Sequence, residues 1–157
     1  MKIHTSRSME KFLFRTKASW AIEPELRRNF LEPSFLLKDG CVFFEYLVKP
    51  EAANRLNFHR YGDRTGCEAS VNGFHVVDFC EDKENVLATA YGFLQEFIEL
   101  WRSKFDEECV VYFGLIPEEE EFGPDVTFTF HKKRAGESWM DLEKLKDAAD
   151  CIMAIEI

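Results

Sequence analysis

Residues 82–105, DKENVLATAYGFLQEFIELWRSKF, decide the fold. Their apolar residues recur at spacings of one, three and four, which places them on one face of an α-helix: Val86, Leu87, Ala90, Leu94, Phe97, Ile98, Trp101 and Phe105. Asp82 and Glu84 stand at the start of this segment and Arg102 and Lys104 at its end, an order that complements the helix dipole. The pattern predicts one long amphipathic helix over about 82–105, packed across a sheet.

One residue in this segment disfavours a helix. Gly92 lies in its middle, where glycine costs about 1 kcal/mol of helix stability relative to alanine. Close packing against another part of the chain would compensate for that cost. We therefore expect another segment to approach the helix at Gly92.

The sequence after the helix indicates strands. ECVVYFGLI (108–116) is almost continuously apolar, as a strand buried on both faces would be. DVTFTFHKK (125–133) alternates, so that Val126, Phe128 and Phe130 share one face. A short helix is predicted near 139–149, and CIMAIEI (151–157) as a last strand.

The sequence before the helix favours hairpins. Asp39-Gly40 separates two apolar runs and suits a type I′ turn between strands at 34–38 and 41–48. Further strands are predicted at 54–61, 67–71 and 74–80, the last entered through Asn72-Gly73. The whole chain is thus predicted to be a single α+β domain: a mainly antiparallel sheet in a meander of hairpins, the long helix packed on it, and the short helix.

Composition limits the class of protein. With 157 residues, the chain can bury a core without disulfides. Its five cysteines are odd in number and include no C-x-x-C, which is typical of free thiols in a reducing compartment. The start of the chain lacks the apolar segment of a secretory signal, and no run approaches the ~18 apolar residues of a membrane helix. We therefore expect a soluble cytoplasmic protein that does not bind membranes.

Charge is unevenly distributed. Residues 1–64 carry 12 basic and 8 acidic side chains, a net of +4, whereas residues 65–157 carry 8 and 21, a net of −13. From Phe105 to His131 there are eight acidic residues and no Lys or Arg. Such a field repels phosphate, so we expect no nucleic-acid partner, and it favours a basic protein.

The stretch IPEEEEFGPD (116–125) is the best candidate for contact with such a partner. Its candidate contact residues are Glu118, Glu119, Glu120, Glu121, Phe122 and Asp125. A run of like charges is often only a solvated loop, and Phe122 would then fold back as an anchor. If Phe122 is exposed instead, an apolar contact inside an acidic rim resembles an interface hot spot.

The sequence carries no signature of a cofactor or metal site. It has neither the P-loop nor the G-x-G-x-x-G pattern for nucleotides. On a regular strand, His75 would face away from Asp78 and Cys80, which argues against a metal site there. Contiguous glutamates point in several directions and make a poor calcium site. We expect no cofactor and no bound metal.

Three functions are compatible with these features. The leading hypothesis is a bacterial immunity protein that inhibits a cationic, nuclease-type toxin by charge-complementary binding. The alternative is an adaptor or regulatory module that binds proteins. A small enzyme is the less favoured third hypothesis, with His59 as base, Asp63 orienting it and Cys67 as nucleophile. The sequence does not determine whether the chain self-associates.

Overall fold

The computed structural model describes residues 1–13, 20–33 and 35–157. Along the described chain, the elements are β1 (Lys2–Thr5), α1 (Arg7–Leu13), α2 (Pro24–Leu26, continued by a π-helical turn at Arg27–Leu31), β2 (Phe35–Lys38), β3 (Cys41–Phe44), α3 (Pro50–Ala53), α4 (Arg64–Val71), β4 (Phe74–His75), α5 (Val86–Lys104), β5 (Cys109–Ile116), β6 (Asp125–Lys132) and β7 (Cys151–Glu156). Short 3₁₀ turns lie at Phe58–Tyr61, Val76–Phe79, Lys83–Asn85 and Leu145–Asp147.

The strands form two sheets. Five of them make an antiparallel sheet in the order β1-β7-β5-β6-β4, and β2 and β3 form a separate antiparallel ribbon. Strand β5 is central, with Val111 paired to Phe130 on β6 and to Ile155 on β7. The predicted α+β fold class is confirmed, and so are the strands predicted after the long helix.

Helix α5 lies across the five-stranded sheet. The ring of Phe93 meets that of Phe128 edge-on at 4.9 Å between centroids, and Phe97 lies 5.0 Å from Phe130. Both strand residues are fully buried, as the alternation in β6 predicts. Burying rings of this size contributes much of the apolar free energy of folding.

Another part of the backbone approaches α5 closely at Gly92. A methyl group on Gly92 would lie 3.2 Å from the carbonyl carbon of Ala21 and from the nitrogen of Ile22. The backbone ahead of α2 therefore packs directly on the helix at this residue. This is the compensating contact that a glycine in mid-helix predicts.

The first hairpin forms as its turn residues predict. Asp39 and Gly40 both have positive φ, 52° and 80°, as a type I′ turn requires. The second strand is shorter than predicted and ends at Phe44. The first position of the predicted hairpin, Ser34, lies outside the described residues.

The rest of the predicted meander is wrong. Residues 54–61 contain a 3₁₀ turn, and residues 67–71 belong to helix α4, which begins where the Asp63 carboxylate accepts a hydrogen bond from the Gly66 N–H at 2.7 Å. Of the strand predicted over 74–80, only Phe74–His75 is extended. The short helix predicted near 139–149 is reduced to the 3₁₀ turn Leu145–Asp147.

Helix α4 joins the two sheets through a buried carboxylate. Glu68 is fully buried, and its two oxygens accept hydrogen bonds from the N–H of Val42 on β3 at 2.7 Å and of Lys132 on β6 at 2.9 Å. Arg134 donates to both oxygens of the same carboxylate, at 2.6 and 2.8 Å. The bidentate arginine neutralises a charge that would otherwise be very costly to bury.

Asn72 repeats this bridge one helical turn later. Its side-chain oxygen accepts from the Phe44 N–H at 2.9 Å, and its amide nitrogen donates to the carbonyls of Val42 at 2.9 Å and Phe130 at 3.3 Å. Positions four apart share one face of a helix, so Glu68 and Asn72 both reach the gap between β3 and β6. The two side chains supply the hydrogen bonds that direct strand pairing would have made.

Removing this bridge should be strongly destabilising. We expect Glu68→Leu to lower the free energy of unfolding by about 3–5 kcal/mol, because it removes the carboxylate that pairs with Arg134 and leaves the N–H groups of Val42 and Lys132 without their acceptor. Urea unfolding at neutral pH measures the loss. The double variant Glu68→Leu with Arg134→Met should lose less than the sum of the two single losses. Simple additivity would show that the ion pair is not coupled in this way.

The contact at Gly92 gives a second prediction. In an open helix position, Gly→Ala would stabilise by about 1 kcal/mol. We expect Gly92→Ala instead to destabilise, because the new methyl group meets backbone atoms of Ala21 and Ile22 that must move to accept it. Thermal unfolding compared with Ala88→Gly in the same helix separates packing from helix propensity. A stabilised Gly92→Ala would contradict the close approach.

Candidate functional site

The candidate site is the loop of residues 117–124, which connects β5 to β6. Both ends of the loop are held by the antiparallel ladder, where Ile116 pairs with Asp125 and Leu115 with Val126. Because the two strands pair along all eight residues of each, the base of the loop is fixed by the sheet.

The loop is itself compact. The N–H of Glu120 donates to the carbonyl of Pro117 at 3.1 Å, and the N–H of Gly123 donates to the carbonyl of Glu120 at 3.0 Å. A Cβ atom on Gly123 would lie only 1.7 Å from the Pro117 carbonyl oxygen, so no other residue fits this turn. The loop therefore presents its side chains from a backbone of defined shape.

Phe122 points into solvent. Its exposed fraction is 77%, the largest of any big apolar residue in the described chain, and no aromatic ring of the described residues contacts it. The alternative that Phe122 folds back as an anchor is therefore wrong. An isolated aromatic side chain at the tip of a loop gains free energy when a partner covers it.

The four glutamates of the loop are exposed and unneutralised. Glu118, Glu119, Glu120 and Glu121 all face solvent, and none of them lies within 4.0 Å of a basic group of the described chain. Exposed charges repel one another weakly when hydrated, so the arrangement is tolerated without a partner. A cationic surface docked on the loop would meet four carboxylates that have no competing ion pair.

The acids at the other end of β5 differ in this respect. Glu107 pairs with Lys132 at 2.6 Å and Glu108 with Lys133 at 2.8 Å. Because β5 separates them from the loop, the two acidic groups are a strand length apart. Glu107 and Glu108 thus have basic partners that the four glutamates of the loop lack.

Asp125 does not belong to the exposed set. It is only 4% exposed, lies 2.5 Å from Nδ1 of His75, and accepts a hydrogen bond from the N–H of Val77 at 3.3 Å. Its carboxylate fastens β4 and the 3₁₀ turn after it to the first residue of β6. Asp125 therefore supports the base of the loop and cannot contact a partner, contrary to its predicted role.

The contacts of His75 revise the argument on metals. Residues 76–79 form a 3₁₀ turn, so the argument from strand alternation does not apply. The His75 ring instead faces Asp125. In the part of the chain that the structure describes, no three His, Cys, Asp or Glu side chains converge in a way that would hold a metal ion.

The three residues of the enzyme hypothesis serve separate purposes. Asp63 caps α4, and the exposed His59 packs its ring 4.5 Å from that of Phe58. Cys67 is 1% exposed among apolar neighbours, and burial raises the pKa of its thiol, which opposes formation of a nucleophilic thiolate. In the described part of the chain, no hydrogen bond joins the side chains of His59, Asp63 and Cys67 into a site.

Besides Glu68 and Asn72, Tyr91 is a buried polar residue that the sequence patterns do not single out. Tyr91 lies on the buried side of α5 with only 8% of its surface exposed, and its hydroxyl has no hydrogen-bond partner in the described structure. The signal was present, because a tyrosine one position from Ala90 and three from Leu94 falls on the apolar stripe of the helix.

Comparison with known proteins places the chain in a family. The model of the Uncharacterized protein PM0498 family matches residues 4–157. The Uncharacterized protein PM0498 of Pasteurella multocida (strain Pm70) is 32% identical over 124 residues, which cover 76% of each chain. No solved structure matches. Among the described residues, no helix is long and apolar enough to cross a membrane.

The buried state of Cys67 can be tested by labelling. Because burial raises the pKa of the Cys67 thiol, less of it is thiolate at pH about 7.5 than in a free thiol, and access is blocked as well. We expect iodoacetamide to modify Cys67 in the folded protein far more slowly than the half-buried Cys151, and both equally fast in denaturant. Mass spectrometry of the labelled peptides gives the two rates. Fast labelling of native Cys67 would revive the nucleophile hypothesis.

Proposed function

This chain belongs to the Uncharacterized protein PM0498 family, and we propose that it is an acidic binding protein that neutralises a basic protein partner. The carrying observation is Phe122, which is 77% exposed and directly follows four exposed glutamates that have no ion pair among the described residues, on a loop fixed at both ends by the sheet. Hot spots of protein interfaces have this composition: an aromatic anchor inside a polar rim.

The physical roles within the loop are distinct. The glutamates attract a cationic surface from a distance and speed encounter, an effect that salt screens within about 8 Å at physiological ionic strength. Phe122 acts after encounter, when its ring leaves water and enters an apolar depression of the partner. Because the loop backbone is already closed on itself, little conformational freedom is lost on binding.

The most concrete form of this proposal is a bacterial immunity protein that inhibits a cationic, nuclease-type toxin. A nuclease needs a positive cleft to hold phosphates, and an acidic loop can occupy such a cleft. The net charge of −13 over residues 65–157 supports the same class of partner. The bacterial relative from Pasteurella multocida supports a bacterial setting.

Neutralising the loop should slow association. We expect the variant with Glu118, Glu119, Glu120 and Glu121 all changed to Gln to bind its partner with an association rate about tenfold lower at low salt, and with a weaker salt dependence. Stopped-flow or surface-based kinetics at several ionic strengths measure both quantities.

A matched control removes the same charge elsewhere. Changing Glu25, Glu51, Glu84 and Glu99 to Gln also removes four exposed negative charges, while leaving the loop intact. We expect this control to keep most of the association rate. Equal effects of the two variants would mean that only the overall charge acts, and would remove the loop from the interface.

Removing the Phe122 ring should speed the dissociation of the complex with the partner. We expect Phe122→Ala to raise the dissociation rate about tenfold or more and to leave the association rate nearly unchanged, because the ring acts in the docked state. The free protein should unfold as the wild type does, since Phe122 makes no ring contact with the described residues. An unchanged dissociation rate would contradict the anchor role.

A growth assay tests the immunity form directly. The reading frame beside the gene should encode a secreted protein with a basic C-terminal domain, and that domain expressed alone should arrest growth. Co-expression of the wild-type chain should restore growth, and co-expression of the loop variant should restore it less than the matched control does. Growth arrest that the wild-type chain does not relieve would refute this form of the proposal.

A further inference from the structure

The sheet face opposite helix α5 is covered only in part. In its covered half, Val110 and Tyr112 are buried under the segment that precedes β7, and the Thr129 hydroxyl donates to the Ala69 carbonyl of α4 at 2.6 Å. In the half next to the loop of residues 117–124, residues of three strands stay partly exposed on this face. These residues form the open patch: Gly114, Ile116, Thr127 and Ile152.

The register of the sheet brings the residues of the open patch together. Gly114 pairs with Thr127 on β6 and with Ile152 on β7, so these three residues lie side by side across the sheet. Ile116 stands two residues further along β5 and therefore points to the same face. The loop begins directly after Ile116, so the open patch is continuous with the base of the candidate contact loop.

The open patch does not have the composition of a solvated sheet face. Where one face of an antiparallel sheet meets water, its outward positions are usually polar. Here two of the four residues are isoleucines, and none of the four is charged. Charge lies around the patch instead: the four glutamates follow it along the chain from β5, and the exposed Asp150 stands just ahead of β7. An uncharged centre with a charged rim is the usual anatomy of a protein interface.

The described structure gives no internal reason for a glycine at position 114. Gly114 lies inside the central strand of the sheet, where glycine weakens a strand because it has no side chain to pack and loses more entropy on folding. Its φ is not positive, and a Cβ atom on it would meet the Cβ of Thr127 at 3.8 Å, an ordinary contact. A glycine of this kind often marks a place where another backbone approaches the strand closely.

We propose that the open patch is the second part of the surface that binds the basic protein partner, a proposal that rests on the proposed function. A main-chain segment of that partner packs against Gly114, while the neighbouring glutamates hold its cationic side chains. The size of interfaces supports this extension: a stable interface engages about 20–30 residues on each partner, far more than residues 117–124 supply. The charge of the loop selects the partner, and the uncharged patch gives the contact its area.

The variant Gly114→Ala tests the proposal through two effects of opposite sign. We expect it to raise the melting temperature of the free protein by roughly 2 °C, because alanine suits a strand better than glycine and the methyl group has room. The same methyl group should weaken binding about tenfold, because it overfills a close contact with the partner. A lower melting temperature would show that the glycine serves the fold, and would overturn the proposal.

The binding probe is the basic C-terminal domain encoded beside the gene, titrated against the full chain in a calorimeter. Gly73→Ala is the matched control, because it adds the same methyl group at an exposed glycine outside the patch, where the nearest atom lies at 3.7 Å. We expect this control to bind as the wild type does. Equal weakening by Gly73→Ala and Gly114→Ala would overturn the proposal.

The outcomes separate this proposal from the proposed function. If the glutamine variant of the loop weakens binding while Gly114→Ala binds as the wild type does, the domain contacts the loop without the patch. The proposed function then stands, and the open patch is not part of the interface. If the wild-type chain does not bind the domain at all, the immunity form of the proposed function is refuted together with the role of the patch.

Discussion

The structure depends on the bridge that Glu68 and Asn72 make between two sheets that do not pair with each other. Backbone groups at a buried strand edge must find partners. Here the edges of β3 and β6 face one another across a gap, and two side chains four residues apart, one on α4 and one at its C-cap, fill it. Because the carboxylate of Glu68 is also held by Arg134, the bridge is charged yet balanced. It positions the hairpin β2–β3 over the aromatic core, where Phe44 lies 5.0 Å from Phe130.

This bridge has a consequence at the far end of β6. One part of the outer edge of β6 is held by α4, and another part by β4, at Phe74 and His75. Asp125 then ties His75 and Val77 to the first residue of the strand. The strand is thereby anchored on both sides, with β5 on its other edge. A loop that leaves such a strand is presented rigidly, and rigidity lowers the entropic cost of binding a partner.

Sequence patterns correctly predicted the elements whose conformation depends mainly on neighbouring residues in the sequence. The apolar stripe specified α5, continuous or alternating apolar residues specified β5 and β6, and Asp39-Gly40 specified the turn. The region 54–80 was mispredicted because long-range contacts decide it: Glu68 and Asn72 are a helical pair only when β3 and β6 are present to receive them. In the candidate site, too, the sequence does not reveal contacts between residues far apart in the chain. Exposure of the glutamates follows from their charge, whereas the burial of Asp125 requires His75, fifty residues away in sequence.

The composition of the loop is better explained by contact than by solubility. Without the four glutamates of the loop, the net charge of the chain would be −5 instead of −9. A net charge of −5 already lies in the range that keeps a small domain in solution. An aromatic ring that is 77% exposed opposes solubility, so a loop selected for hydration alone would not place Phe122 at its tip. Just before β5, by contrast, Lys132 and Lys133 neutralise Glu107 and Glu108. The loop therefore leaves four carboxylates and the Phe122 ring uncovered on the most firmly anchored hairpin of the sheet. A basic partner with an apolar depression would complement this arrangement.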